Sequence, residues 1–595
     1  MGTMTRLLVS ATGRAAARRF ERAARDSAAT QQQLLTTILQ RNRETEYGRT
    51  HNFGAIQTLK DYAKAVPIIT YENVRNEIDR MTRGEHNILT AETPIMFART
   101  SGTTGKPKYI PVTPSCQGRV HSDQMRIWLY HALCDHPTIF QKKVVSLVSR
   151  AVEGHTPDGT PYGSTSGTMY RDLPRFVRST YSIPYPVFEI DDYEQKYYCL
   201  LRVALEESVT FLATANPSSV VTLCEMADQY ADDLLRDIAD GTVRDLKNLP
   251  AHVREALGTR RKPLPERAKE LESARSRRDG RLLAADYWPD LALIACWKGG
   301  TVGHYLEQFD DYFNPDGERP IPVRDWGYLS SEARGSIPLS DDGAGGVLTI
   351  ASNVFEFVPV EQVESDEDDD KWRRGPTLGA HELEEGQSYY TIITTTGGLY
   401  RYDINDVVQV VGRHLDAPVI AFVRKGNGMT SITGEKLSAE QVVEAFERSA
   451  KDAGVRLAHF KAEARPRESR YALMVEFDQS ASPGDLKQFL QAVDKNLSEL
   501  NLEYAAKRKS LRLKPPLLNV MKSGWHQQAQ ATASRNKRIF QAKAAVLTDR
   551  HDDREDALVS QAIEIDGHKS PPKSAKQARK EPAKKERATS ASKRT

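Results

Sequence analysis

Apolar residues in this chain fall into short runs separated by amphipathic stretches. VVSLVSR, SVTFLATAN, LALIACW, GVLTIASNVFEFV, YTIITTT and VVQVVG are rich in Val, Ile and Thr and predict strands. TPIMFART predicts a further strand that enters a glycine turn. LLTTILQRNRETEYG carries apolar residues at helical spacing and predicts one early helix closing on Gly48. SSVVTLCEMADQYADDLLRDIADGTV predicts helix between strands. Continuous apolar strands alternating with helices indicate α/β organisation. The texture changes after Gly426. LSAEQVVEAFERSAKDAG predicts a helix closing on its last glycine, YALMVEFD a strand, and the residues after SPGD one or two helices. A smaller α+β unit is therefore expected to hang from a large α/β unit, with the boundary near Arg424.

Length and composition narrow the classes. A chain of 595 residues with 39% hydrophobic content can bury about three to four domain-sized cores. It holds no apolar run of membrane-spanning length, so no membrane partner is expected. Cys116, Cys134, Cys199, Cys224 and Cys296 are scattered without ligand-like spacing. That pattern argues against a disulfide scaffold or a cysteine zinc site and for a reducing, cytoplasmic setting. Lys and Arg number 83 against 80 Asp and Glu, but the balance is uneven. Residues 569–595 carry ten Lys or Arg and two Glu, a net +8 that leaves the rest of the chain at −5. This tail lacks large apolar residues and is expected to be disordered, a solubilising segment rather than a specific nucleic-acid binder. Residues 361–370 hold seven acids and are expected to form a solvated loop. Residues 1–30 are basic and are read as an ordinary first helix in preference to a presequence. The resulting division is 1–30, 31–424, 425–550 and 569–595.

The sharpest local feature is FARTSGTTGKPKYIP at 97–111. Gly102 and Gly105 allow close backbone approach, Ser101, Thr103 and Thr104 supply hydroxyls, and Lys106 and Lys108 supply charge. A strand opening into such a loop can wrap phosphates. It is not a Walker A loop, because its glycine spacing differs and Pro107 follows Lys106. An unliganded surface turn is the competing reading of this segment alone.

SGTTGKPK resembles the first nucleotide-binding motif of adenylate-forming enzymes, and the frame around it resembles the GH3 family of acyl-acid amido synthetases. The family's order is followed by ILQRNRETEYG, VPIITYE, the glycine loop with its IPVT extension, YLSSE at 328–332, LYRYDINDVVQVVGR at 399–413 and FVRKGNGMTSITGEKLS at 422–438. The resemblance implies a large domain that binds ATP, Mg²⁺ and a small carboxylic acid, and a smaller mobile domain. It implies formation of an acyl adenylate and attack by an amine or amino acid. By the same resemblance Ser101, Gly102, Thr103, Thr104, Gly105, Lys106 and Lys108 belong to the phosphate loop. Tyr328, Ser330 and Ser331 line the nucleotide pocket, Glu332 helps hold Mg²⁺, Asp406 grips the ribose, and Arg424 lies at the hinge. Lys537 is the expected C-terminal lysine that reaches the reacting groups. Trp297, Gly299 and Gly300 fall near the acid subsite. A monomer is expected.

Three positions depart from the family pattern. Asn405 stands where a glycine usually precedes the aspartate, and Asn tolerates positive φ. Leu329 replaces a smaller residue, and the Lys537 region lacks the usual signature. Local alternatives stand beside each assignment: Glu332 as the cap of a following helix, Asp406 as an Asx turn between two strands, Lys537 as part of a solvated charge run. Two other functions remain open, a carboxylate–CoA ligase and a non-catalytic interaction protein on the same scaffold.

Overall fold

The computed structural model describes residues 2–100, 107–258, 261–364, 371–426, 428–478, 482–525 and 546–565. Ser101, Gly102, Thr103, Thr104, Gly105 and Lys106, Lys537 and the tail at 569–595 lie outside them, as does most of the acidic run. The protein has a large N-terminal mixed α/β part and a smaller C-terminal α+β part.

Besides a small mixed sheet of Lys108–Val112, Met96–Thr100, Pro161–Gly163 and Gly154–His155, two larger sheets of the large part differ in strand direction. Lys143–Leu147, Val209–Thr214, Leu293–Ala295 and Val323–Arg324 pair side by side, all parallel. Helices Tyr193–Ala204 and Pro217–Gln229 pack with this sheet in a core that includes Leu212, Ile294 and Trp288. Here the α/β reading fits, because strands covered on both faces carry unbroken apolar runs. The second sheet is antiparallel throughout. Its spatial order is Leu378–Gly379, Val354–Pro359, Ser388–Thr394, Tyr402–His414, Ala417–Lys425, Gly346–Leu348, Ser336–Ile337. GVLTIASNVFEFV therefore supplies two strands, not one, since 351–353 turn and each half joins a different neighbour.

The early helix also divides. Ser27–Asn42 ends before Gly48, and Thr45 caps a second helix, Glu46–Thr50. Gly48 lies inside this second helix because a Cβ there would sit 2.1 Å from the Asn42 carbonyl oxygen. The basic N-terminus forms helix Gly2–Ala23, which buries Ala16, Ala17 and Phe20 in the core of the large part.

The C-terminal sheet runs Leu547–Thr548, Leu457–Arg465, Arg470–Phe477, Leu517–Met521, Val559–Glu564. Helices Ala439–Ala453 and Pro483–Leu500 bury Phe446, Phe489 and Leu490 with it. The first of these stops at Gly454 with φ +64°, as the sequence predicts, and starts on a Ser438–Gln441 capping box. The two parts meet through hydrogen bonds, including Tyr305 Oη to Ser469 Oγ at 2.5 Å and Asn216 Nδ2 to the Thr433 carbonyl at 2.6 Å. Among the described residues no helix is long and apolar enough to cross a membrane.

Candidate active site

The strands that flank the glycine loop form a hairpin, Met96–Thr100 against Lys108–Val112, with Thr100 opposite Lys108. Both residues line a cavity of ≈ 460 Å³. Lys108 is held over the Tyr71 ring, its nitrogen 5.4 Å from the centroid, and the Tyr109 amide donates to Tyr71 Oη at 2.8 Å. Burial pushes the Lys108 ammonium below its ordinary range, with Glu332 pulling the other way.

The YLSSE segment supplies Glu332 to the same cavity. No helix follows it. The chain turns back instead, with Leu329 bridged to Arg334 and the Ser330 amide donating to the Ala333 carbonyl at 2.8 Å. Ser330 Oγ accepts from the amides of Ala333 at 3.0 Å and Glu332 at 3.2 Å. The helix-cap reading of Glu332 is thereby corrected: Ser330 acts as the turn's internal brace, fixing Glu332 beside a half-exposed Ser331. Burial alone would raise the Glu332 carboxyl, but the ammoniums of Lys436, Lys425 and Lys108 outweigh it and hold the group below its usual range. Among the described residues Glu332 Oε2 is shielded from solvent and has no hydrogen-bond partner.

Asp406 lies inside the long strand Tyr402–His414, not in a turn between two strands. Asn405 before it has φ +55°, so the backbone conformation that glycine would supply is present. Asp406 is 2% exposed; Tyr328 Oη donates to its Oδ2 at 2.7 Å, and the Lys425 ammonium ion-pairs with Oδ1. Asn405 and Lys425 line the cavity, whereas Asp406 itself does not and reaches it through its ion pair with Lys425. Arg424 is paired with Val407 in the ladder, and its guanidinium donates to the Lys425 carbonyl at 3.0 Å. The strand ends one residue later, and a Cβ at Gly426 would fall 1.9 Å from Asn405 Oδ1.

Two cations were missed by sequence reasoning. Lys425 and Lys436 both lie in the segment 422–438, yet neither was assigned a role. Lys436 reaches the cavity from the C-terminal part with φ +48°. Burial opposes its charge, but Glu503, Glu332 and Asp406 outweigh burial and raise its pKa. Nothing local in GEK at 434–436 announces this role, because the acids that Lys436 faces come from other segments. Tyr71, Trp372, Tyr390 and Tyr402 give the cavity aromatic walls.

Trp297, Gly299 and Gly300 do not line this cavity. Trp297 packs against the parallel-sheet core. A Cβ at Gly300 would meet the Phe422 ring at 2.9 Å, and one at Gly299 would meet Ala344 at 3.0 Å. The segment is tied to Tyr328 through Asp325, whose carboxylate accepts from the Lys298 and Gly327 amides at 2.5 Å each. Burial pushes that carboxyl up to about 6 despite these donors.

A two-part chain whose glycine-loop hairpin, YLSSE and DIND segments and Lys436 of the smaller part contribute to one cavity has the organisation of an adenylate-forming enzyme. Family comparison is specific. The GH3 family N-terminal domain matches residues 16–317, the central domain 346–425 and the C-terminal domain 439–552. The chain belongs to the GH3 family, within the adenylate-forming acyl-acid amido synthetases. It is 27% identical over 432 residues to a probable indole-3-acetic acid-amido synthetase, GH3.11, of Oryza sativa subsp. japonica, covering 69% of this chain and 71% of that one. It is 26% identical over 454 residues to the jasmonoyl–L-amino acid synthetase JAR6 of Nicotiana attenuata, covering 73% and 75%. The solved structure of AtGH3.15 acyl acid amido synthetase in complex with 2,4-DB shares the fold at TM-score 0.62 and 20% identity, over 93% of this chain and 97% of that one.

Proposed function

We propose that this chain uses ATP to convert a carboxylic acid into an acyl adenylate and then transfers the acyl group to an amine or amino acid. The observation that carries the reading is the convergence of Lys108, Lys425 and Lys436 on Glu332 within one cavity. In the first step a carboxylate oxygen bonds to the α-phosphorus, and the bond to the β-phosphate breaks to release pyrophosphate. Negative charge approaches negative charge, so preset ammoniums lower the barrier without reorganising. In the second step the amine nitrogen attacks the activated carbonyl, loses a proton and expels AMP; positioning supplies much of the rate. No nucleophilic side chain is needed.

Lys108 sits where the α-phosphate would be met beside the glycine loop. Asp406, behind Asn405, is the carboxylate available to the ribose hydroxyls once Lys425 turns to phosphate. Glu332 fits Mg²⁺, because its buried oxygen is a hard donor left without a partner among the described residues. Bound there, the ion would supply charge neutralisation at the phosphates. Lys436 belongs to the smaller part, so its contribution depends on how that part is docked. The named relatives differ in acid, one a probable indole-3-acetic acid-amido synthetase and the other a jasmonoyl–L-amino acid synthetase, so the acid is assigned here only as a class.

The test is exchange of labelled pyrophosphate into ATP across a panel of carboxylic acids, followed by product analysis with amines and with CoA. Acid-dependent exchange and an amide product are expected. No exchange with any acid, or exchange followed only by a thioester, would overturn the reading.

A further inference from the structure

The edge of the C-terminal sheet is closed by Leu547–Thr548, which pairs in parallel with Leu457–Arg465 and sets Thr548 opposite Glu463. HDDRED at 551–556 follows, so one histidine and four acids are delivered beside that strand. Two of the acids are already committed. Asp552 accepts from the Arg554 guanidinium at 2.8 and 2.7 Å. Glu555 takes the Lys461 ammonium and the Trp525 indole N–H. His551, Asp553 and Asp556 are left, and each places one nitrogen or oxygen within 4.8 Å of the other two.

The orientation of the His551 ring is set from inside the sheet. Glu463 is inaccessible to solvent, and its Oε1 meets His551 Nδ1 at 2.8 Å. A carboxylate only accepts, so Nδ1 carries a proton. The outer nitrogen, Nε2, stands 3.2 Å from Asp553 Oδ1 and 3.2 Å from Asp556 Oδ2. Three atoms with lone pairs thus surround one point that calls for a positive occupant. A proton on Nε2 aims at one carboxylate, whereas a divalent ion is shared by all three atoms. Ligands about 2.0 Å from a tetrahedral ion stand about 3.3 Å apart, close to these separations. Neighbouring charges leave the three atoms free. Asp556 gives its other oxygen, Oδ1, to Arg465 at 3.2 Å, and Asp553 meets no Lys or Arg among the described residues.

Glu463 supplies a second observation. Its Oε1 is shared between His551 and Arg465 Nε, the latter at 2.9 Å, while its buried Oε2 has no partner among the described residues. A carboxylate left short of donors is stabilised when the ring N–H it accepts becomes more acidic. An ion on the opposite ring nitrogen has that effect, and a carboxylate behind a metal-binding histidine is the usual support of such a ligand.

We propose that His551, Asp553 and Asp556 bind a divalent ion of the zinc type, with Glu463 as the buried acceptor that orients the ring. One imidazole with two carboxylates suits Zn²⁺ or Co²⁺ better than Ca²⁺ or Mg²⁺, which favour all-oxygen shells. All three ligands are exposed, so the ion enters directly from solvent and water completes its shell. The ion fastens residues 551–556 to strand Leu457–Arg465. This role is separate from the reaction cavity and does not depend on the activity proposed above.

The experiment uses the full chain, cleared of metal with a chelator and titrated with ZnCl₂ by calorimetry and with CoCl₂ by visible absorption. One saturable Zn²⁺ site and the intense bands of four-coordinate Co²⁺ are expected. His551→Gln and Asp553→Asn should each weaken Zn²⁺ binding by ~10-fold or more and remove the Co²⁺ bands. Glu463→Gln should weaken it by ~10-fold, the scale for an outer-sphere partner. The Asp553 side chain is 97% exposed, so its Asn variant keeps the fold and covers the case of a poorly folded Glu463 variant. Glu332→Gln should bind Zn²⁺ here as the parent does. Unchanged Zn²⁺ affinity in both His551→Gln and Asp553→Asn would place the ion elsewhere, in the reaction cavity if Glu332→Gln abolishes it. Absence of saturable binding up to ~100 μM Zn²⁺ would leave a proton as the occupant of Nε2. Either result overturns the proposal.

Discussion

Tyr328 and Asp406 are joined by a 2.7 Å hydrogen bond across 78 residues of sequence, both nearly inaccessible to solvent. The YLSSE turn and the long antiparallel strand are thus locked at the back of the reaction cavity before any ligand arrives. Burial and the nearby Asp406 charge hold the Tyr328 phenol protonated, so it remains the donor. Tyr328→Phe leaves a buried carboxylate oxygen short of one donor and should cost ~1–3 kcal/mol of stability. Urea unfolding measures it; a loss near zero would show that Lys425 alone satisfies Asp406.

Asn405 takes the left-handed conformation at φ +55°, and its side-chain amide contacts Met429 Sδ at 3.3 Å. Asn405→Gly should fold with little loss, whereas Asn405→Ala should cost ~1 kcal/mol for the Cβ at positive φ. A β-branched residue should cost more. The comparison is made by thermal unfolding of the three variants, and equal melting of Gly and Ala variants would contradict the strain argument.

Much of this arrangement was readable in the sequence because it is local. The strand entering the glycine loop, the helix end at Gly454 and the positive-φ role of Asn405 depend on residue type and near neighbours. The failures are tertiary. GVLTIASNVFEFV reads as one strand because apolar periodicity does not report which neighbour a strand joins. The helix-cap alternative for Glu332 fails because nothing in SSEARGS announces that Ser330 will close a turn onto Ala333. Gly299 and Gly300 read as room for a ligand, but the space beside them is filled by Ala344 and Phe422, the latter from a strand more than a hundred residues away. Lys425 and Lys436 escaped notice for the same reason: a cation's role is set by the charges it faces, and Glu332 and Asp406 come from elsewhere in the chain.

Asp325 gives a pH signature. Its folded-state pKa is raised from 3.8 to about 6, by burial first, with the amides of Lys298 and Gly327 opposing. A raised acid contributes stability below its unfolded pKa and loses it as pH climbs through the folded value. Between pH 4 and pH 6.5 this residue should therefore subtract about 2 kcal/mol as pH rises. Asp325→Asn should remove that component, flattening the stability profile over this interval. Parallel profiles for the parent and the variant would show that the carboxyl titrates normally.

Glu332 has the opposite sign. Its folded pKa lies below the ordinary 4.5 because three ammoniums outweigh burial. Its contribution to stability is present above the unfolded pKa and is lost as pH falls through the folded value. Glu332→Gln should flatten that acid-side decline and leave Lys108, Lys425 and Lys436 mutually repelling at neutral pH. In the exchange assay the same change should lower the rate by ~10²-fold, the scale for losing one preset electrostatic group. It should also raise the Mg²⁺ concentration needed for half-maximal exchange, a shift that a purely structural defect would not produce. If the rate falls while the Mg²⁺ dependence stays fixed, Glu332 organises the lysines and the metal is held elsewhere.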